Sequence, residues 1–131
     1  MKISKKSQYG LRALALLAKE KKEFLPLREI SEKEEIPFDY LEKIFSEMEK
    51  KGLVKSKKGS RGGYKLARLP GKIKVGEIIR ALEGKLVLVE CIGIKNCSRQ
   101  KTCPARGVWK TLQASLEKTI NSITLKDINN G

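Results

Sequence analysis

A glycine-rich hairpin pattern follows directly on a helical pattern in the middle of this chain, and few folds accommodate that order. One helical face is formed by apolar residues, and these are Leu41, Ile44, Phe45 and Met48. Gly52 then marks the end of the helix. Two short runs that alternate apolar and polar residues flank a turn at residues 59–62. The chain is therefore predicted to place a β-hairpin immediately after an amphipathic helix.

The helices around this hairpin complete a familiar order. Ile36 and Pro37 separate two of them, because proline disfavours helical backbone at the residue before it. The order of helix, helix-turn-helix, hairpin and helix predicts a mainly α fold of the winged helix-turn-helix class, followed by a long C-terminal helix. The apolar spacing predicts helices over residues 4–20, 27–34, 38–51, 75–82 and 104–122.

The basic residues are concentrated on the hairpin. The chain has 29 Lys and Arg against 15 Asp and Glu, with no His, so its formal net charge is +14. Between Lys50 and Lys74 there are ten basic residues and no acidic one. A surplus placed in this way predicts a polyanionic partner such as nucleic acid. The alternative is a hairpin tip that is only a solvated turn.

No apolar run approaches the ~18 residues that span a membrane. The amino-terminal apolar stretch has helical spacing and is interrupted by Arg12, so it is interpreted as a core helix instead of an export signal. We therefore expect a cytoplasmic protein without a membrane partner.

The predicted DNA-binding residues lie on the third helix and on the hairpin. Glu42 is a candidate base reader, since a carboxylate accepts a hydrogen bond from the cytosine amino group in the major groove. The alternative is a solvated acid that pairs with a residue one helical turn away. The complete predicted set is Phe38, Asp39, Tyr40, Glu42, Lys43, Lys57, Lys58, Ser60 and Arg61.

Three cysteines occur at equal intervals in a polar stretch. Five residues separate Cys91 from Cys97, and five separate Cys97 from Cys103. An odd count argues against a disulfide framework. Three thiolates close together hold iron–sulfur clusters or zinc, but structural zinc takes four protein ligands and the chain has no His and no further Cys. An iron–sulfur site that takes its last ligand from another donor or from a second subunit is favoured, and chemically inert thiols are the alternative.

The last predicted helix carries an apolar ridge. The ridge either joins two copies of the chain or packs on its own domain. The predicted dimer-interface residues are Val108, Leu112, Leu116, Ile120 and Ile123.

Together these segments resemble the winged-helix iron–sulfur regulators of the IscR and NsrR type. The resemblance covers nearly the whole chain, and it implies a homodimer on a palindromic operator. It also implies that Glu42 reads a base, that Lys58 reaches the minor groove and that the three cysteines hold a cluster. The segments that carry it, besides the cysteines, are MKISKKSQYGLRAL, DYLEKIFSEMEKKGLVKS, KGSRGGYKLAR, VGEIIRALEG and VWKTLQASLEKTINSITLKDI.

Two positions depart from the family pattern. A histidine follows the last cysteine by three positions in some members, and Arg106 stands there in this chain. An aspartate near the start of the first helix completes the cluster in others, and the matching residue here is Gln8. The choice between a 2Fe–2S and a 4Fe–4S cluster stays open, as does the signal: iron–sulfur supply, nitric oxide or redox state.

We thus expect a DNA-binding regulator, interpreted as a repressor, in three parts. Residues 1–84 bind DNA, 85–103 hold the cluster and 104–131 form the dimerisation helix and tail. One alternative is a regulator of the same fold that uses direct thiol oxidation or a protein partner without a cluster. Another is a protein-interaction module with an idle DNA face. An enzyme is disfavoured, because the chain has no histidine base, no CxxC pair and no phosphate-binding glycine loop.

Overall fold

A computed structural model describes residues 2–93, 98–99 and 101–128. It confirms the mainly α fold with one small antiparallel sheet, and each predicted helix is found with its bounds shifted by at most two residues. Two short helices, Glu90–Gly93 and Leu125–Ile128, and a 3₁₀ turn, Pro70–Lys72, were not predicted. The elements are α1 (Lys5–Lys19), α2 (Leu27–Glu34), α3 (Phe38–Lys50), β1 (Val54–Lys57), β2 (Gly63–Leu66), α4 (Val75–Glu83), α5 (Glu90–Gly93), α6 (Arg106–Ile120) and α7 (Leu125–Ile128).

The core lies where α1, α3 and α4 pack together. Leu14, Ile44, Phe45 and Ile78 are at most 1% exposed, and Leu25 and Ile30 complete the cluster from the side of α2. No helix in the described part of the chain is long and apolar enough to cross a membrane.

The turn between α2 and α3 is closed by local hydrogen bonds and by burial. Glu35 adopts a left-handed backbone with φ 54°, and Ile36 is only 2% exposed. The Ser31 hydroxyl donates to the Ile36 carbonyl at 2.6 Å. Pro37 then precedes the first residue of α3, where its missing N–H costs nothing. The two helices are therefore held in the helix-turn-helix arrangement.

The hairpin is fixed to the body of the domain through its second strand. β1 and β2 pair antiparallel, and Tyr64 and Leu25 exchange two backbone hydrogen bonds of 2.9 Å each. Gly63 has φ 140°, and a Cβ atom there would lie 2.2 Å from the Leu25 carbonyl oxygen. The Tyr64 ring packs on Phe45 of α3 with centroids 4.7 Å apart. This hairpin, the wing, is thus held against α3.

The carboxyl end of the described chain returns to the helical core. Leu125 is fully buried, and its N–H donates to the Ile73 carbonyl at 3.1 Å. The Val75 N–H donates to the Ile123 carbonyl at 2.8 Å. The residues that follow α6 therefore pack against the helical core at the start of α4. The three-part division of the chain stays a prediction.

Candidate nucleic-acid interface

α3 buries one face and leaves the predicted base-reading face exposed. Asp39, Glu42 and Lys43 are exposed, whereas Leu41 is fully buried. Glu42 makes no hydrogen bond or salt bridge with another described residue, so a pair one helical turn away is absent there. Its carboxylate is thus available to an outside donor.

Two aromatic contacts shape the start of α3. The Tyr40 side chain, 37% exposed, meets the Tyr9 ring edge to face with centroids 5.7 Å apart. The Arg28 guanidinium of α2 lies 4.7 Å from the centroid of the half-buried Phe38 ring. Stacking of this kind holds a guanidinium in place while leaving its hydrogens available. Arg28 was not among the predicted residues, because only the helix-turn-helix angle brings it to Phe38.

The wing tip presents exposed cations. Lys57, Lys58, Ser60 and Arg61 are exposed, and neither Lys58 nor Arg61 forms a salt bridge with any residue that the structure describes. Lys57 Nζ lies 5.6 Å from the centroid of the Phe24 ring. A cavity of about 490 Å³ separates the tip from residues 22–26. The tip therefore concentrates exposed positive charge on the end of a hairpin whose strands pack on α3 through Tyr64.

Two cations of the basic run do not contribute in this way. Lys65 Nζ pairs with Glu23 at 3.3 Å, and Arg68 Nη2 pairs with Glu77 at 2.6 Å. The Arg68 hydrogen bond lowers the pKa of Glu77 below its usual range. Both acids lie outside the basic run in sequence, so the pairing could not be anticipated from the run itself. The basic run thus contains two kinds of cation. Lys65 and Arg68 form salt bridges with acids, whereas Lys58 and Arg61 at the wing tip form none with the described residues.

Two acidic residues of α3 already have partners within the chain. Glu47 pairs with Lys6 of α1 at 3.3 Å, and Glu49 accepts a hydrogen bond from the Ser56 hydroxyl at 2.5 Å. Burial, followed by the charges of Glu49 and Glu42, raises the pKa of the Tyr64 hydroxyl. Glu47 is thus paired with α1 and Glu49 with β1, while Glu42 stays exposed.

Two of the three cysteines lie in the described chain. Cys91 in α5 and Cys103 before α6 are half-buried free thiols, and Cys97 lies outside the described residues. Arg106 links them, because its Nη1 donates to the Cys91 carbonyl at 3.3 Å and its backbone N–H donates to the Cys103 carbonyl at 3.4 Å. Cys103 precedes α6 by three residues instead of opening it.

Cysteine thiolates are suitable ligands for iron, and neither Arg106 nor Gln8 supplies the fourth ligand expected at its position. The Arg106 guanidinium stays protonated and donates hydrogen bonds, so it is no metal ligand. Gln8 at the start of α1 donates its Nε2 hydrogen to the Ile3 carbonyl at 2.8 Å. The described residues contain no group of three Cys, His, Asp or Glu that could hold a metal. Of the three predicted cluster ligands, Cys91 and Cys103 lie in the described chain, where the carbonyl of each accepts a hydrogen bond from Arg106.

The apolar ridge of α6 is uncovered at its amino-terminal half. Val108 is 54% exposed and Leu112 is 48% exposed, whereas Leu116 and Ile120 are half-buried. Ile123 lies beyond the end of α6 and is half-buried beside α4. In a single chain, two turns of the ridge thus face outward.

A helix-turn-helix with an exposed third helix and a cationic wing defines a winged-helix DNA-binding regulator. Residues 3–131 match the model of the Rrf2 family, described as iron-dependent transcriptional regulators. The chain belongs to this Rrf2 family. It is a DNA-binding transcriptional regulator and not an enzyme.

Individual relatives agree with this assignment. The HTH-type transcriptional regulator IscR of Cronobacter sakazakii is 34% identical over 131 residues, which are 99% of this chain and 81% of the relative. The structure of T. potens IscR is 37% identical with a TM-score of 0.79, over 98% of this chain and 85% of that one. The structure of CymR, the global cysteine regulator of B. subtilis, is 32% identical with a TM-score of 0.82, over 99% and 97%. The chain is thus similar both to IscR and to CymR proteins.

Proposed function

We propose that the protein is a homodimeric repressor that binds a palindromic operator and whose DNA affinity is controlled by an iron–sulfur cluster on Cys91, Cys97 and Cys103. The observation that carries the DNA-binding part is the wing tip, where Lys58 and Arg61 are exposed and form no salt bridge with a described residue, on a hairpin that packs on α3 through Tyr64. Cations on a hairpin tip supply affinity through phosphates, and side chains of a helix in the major groove supply sequence choice.

The contacts with DNA are divided between the two elements. On the wing, Lys57, Lys58, Ser60 and Arg61 face phosphates or the minor groove, where the potential is most negative. On α3, Glu42 and Lys43 face bases, and Phe38, Asp39 and Tyr40 lie at the end of the helix that enters the groove. Arg28, stacked on Phe38, adds a cation on the neighbouring helix α2.

Dimerisation is assigned to α6. Val108 and Leu112 leave large apolar side chains exposed, and Leu116 and Ile120 continue the same ridge. A two-fold dimer buries one patch against its own copy, so a single apolar ridge is sufficient. Two copies joined at α6 present two winged helices, as a palindromic operator requires.

Cluster control rests on the cysteine segment and on the similarity to IscR proteins. When bound, a cluster supplies a group whose presence and charge depend on iron supply and oxidation. Cys91 and Cys103 are both joined to Arg106, the first residue of α6, through their carbonyl groups. A change in the position of either cysteine is therefore transmitted to the start of the proposed dimer helix.

Direct thiol chemistry is the second candidate. It is favoured by the similarity to the B. subtilis cysteine regulator and by Arg106, which stands where a histidine ligand would. In that case oxidation of Cys91 or Cys103 replaces cluster binding at the same place in the fold. The DNA-binding part of the proposal is common to both candidates.

Anaerobic purification and reconstitution with ferrous iron and sulfide separate the candidates. Cluster control predicts a coloured protein that holds iron and sulfide, and a Cys91→Ser/Cys97→Ser/Cys103→Ser variant that holds neither. A colourless product would overturn the cluster. If cluster-free protein changes its affinity for duplex DNA on peroxide treatment, and the triple variant does not, thiol oxidation is the mechanism. Footprinting in both states would then define the operator.

A further inference from the structure

A buried amide on α6 holds the segment that leads to the cysteines. Gln113 is 9% exposed, and it and Ser7 are the buried polar residues of the described chain. Its Oε1 accepts the Leu88 N–H at 2.8 Å, and its Nε2 donates to the Leu86 carbonyl at 2.7 Å. One side-chain amide thus makes the pair of hydrogen bonds that a neighbouring β-strand would make with this segment.

The orientation of the amide is set by a third group. The second hydrogen of Gln113 Nε2 is donated to Glu117 Oε1 at 3.0 Å, one helical turn further along α6. Both donors of the amide are therefore used, and its oxygen is aimed at Leu88. A flipped amide would place its donors against the Leu88 N–H and its oxygen against the Leu86 carbonyl. The contact thus has one favourable arrangement.

Gln113 and Arg106 hold the same segment at two places. They are seven residues apart, so they lie on one face of α6 about 10.5 Å apart along its axis. Gln113 contacts residues 86–88, and Arg106 contacts Cys91, so the segment runs antiparallel to the helix. Leu112 and Val108 lie about 100° and 140° around the helix from Gln113. α6 therefore offers the cysteine segment one face and leaves the apolar ridge on another.

We propose that Gln113 is the positioning residue that couples the state of the cysteine segment to α6, and through α6 to DNA affinity. The inference rests on the proposed function, in which the cysteines control DNA binding. A cluster or a modified thiol shifts Cys91 and the residues before it. Because the segment is fixed to the middle of α6 through the Gln113 amide, that shift changes the helix instead of being lost in a loosely attached loop.

Gln113→Leu tests this coupling, since leucine keeps the buried volume and removes both backbone hydrogen bonds. Ser115→Ala, at an exposed position two residues along α6, is the matched control. For each protein we would measure the Kd of an operator duplex before and after reconstitution with ferrous iron and sulfide. Amide exchange at Leu88 is measured in the cluster-free protein, with the Val75 amide, bonded to Ile123, as an internal reference.

In Gln113→Leu we expect Leu88 exchange to accelerate about tenfold while Val75 is unchanged. The ratio of the two Kd values should move toward one by about three- to tenfold, and Ser115→Ala should keep the wild-type ratio. Gln113→Glu keeps an acceptor for the Leu88 N–H but repels the Leu86 carbonyl and Glu117, so it should move the Kd ratio toward one without the same acceleration of Leu88 exchange. If Leu88 exchange accelerates but the Kd ratio stays at its wild-type value, the proposed role of Gln113 is wrong, while control by the cysteines is unaffected. A wild-type ratio of one would instead overturn the proposed control by the cysteines, and this inference with it.

Discussion

The wing and the cysteine segment are attached to the same helical core by different means. The wing is joined to the core by backbone pairing of Tyr64 with Leu25, and the Tyr64 ring packs on Phe45. The segment that leads to Cys91 is held on α6 by two side chains, since Gln113 bonds Leu86 and Leu88 and Arg106 bonds the Cys91 carbonyl. Backbone pairing next to a buried core resists displacement, whereas two side-chain contacts are easily rearranged. The comparison indicates a rigid DNA-binding element and an adjustable cysteine-containing segment.

Gly63→Ala should disrupt the attachment of the wing to the core. The new Cβ would lie 2.2 Å from the Leu25 carbonyl oxygen at a backbone φ of 140°. We expect a loss of about 3 kcal/mol in the free energy of unfolding, measured by urea denaturation, together with weak DNA binding. Gly59→Ala is the matched control, because its φ is 107° but no atom lies within 4 Å of the added Cβ. It should cost only about 1 kcal/mol. Equal losses would show that the contact with Leu25 is unimportant.

Leu112→Lys should separate the proposed dimer without disturbing either attachment. The lysine would place a charge at the centre of the apolar ridge, so the dimer dissociation constant should rise at least about 100-fold. Sedimentation equilibrium measures this change. Ala114→Lys, at an exposed position on the far side of α6 from Leu112, should leave the dimer intact. A dimeric Leu112→Lys protein would place the interface elsewhere.

Glu83→Ala should weaken the core that both regions share. Glu83, the last residue of α4, accepts a hydrogen bond from the Ser7 hydroxyl at 2.7 Å and from the Ser4 N–H at 2.8 Å. Since Ser7 is buried and would lose its partner, we expect a loss of about 2 kcal/mol in the free energy of unfolding at pH 7. Thermal denaturation measures it, and no loss would show that water replaces the carboxylate.

The same carboxylate makes stability depend on pH. Hydrogen bonds from Ser4 and then Ser7 lower the pKa of Glu83 from its ordinary 4.5. A lowered pKa in the folded state stabilises the protein above the unfolded value, and this contribution disappears as pH falls through the folded value. The advantage of wild type over Glu83→Gln should therefore be constant near neutrality and shrink below about pH 4.5. An advantage that grows on acidification would contradict this assignment.

Lys58→Ala should give the smallest effect, because one exposed cation is removed from the wing tip. We expect affinity to fall about tenfold for operator and random duplexes alike, with a shallower dependence on salt. Lys65→Ala is the control, since Lys65 is already paired with Glu23. Fluorescence anisotropy with both duplexes measures the change. If Lys65→Ala lost as much affinity, the division of the basic run into paired and unpaired cations would be wrong.

The sequence was more informative about the wing than about the cysteine segment. Helical spacing and the glycines near residues 59–63 depend on local geometry, so they predicted α3 and the hairpin closely. The salt bridges of Lys65 and Arg68 and the contact of Arg28 with Phe38 join residues that only the tertiary fold brings together. Gln113 could not be recognised for the same reason. A polar residue on an amphipathic helix is ordinarily exposed, and its partners are backbone groups 25 to 27 positions away.

In the proposed function, the state of the cysteines controls the DNA affinity of the winged helix. The most direct measurement is the Kd for the footprinted operator of wild type and of Cys91→Ser/Cys97→Ser/Cys103→Ser, each before and after anaerobic treatment with ferrous iron and sulfide. We predict that the treatment changes the wild-type Kd at least about tenfold and leaves the triple variant unchanged. Equal Kd values for wild type before and after treatment, with iron bound, would contradict control by the cluster.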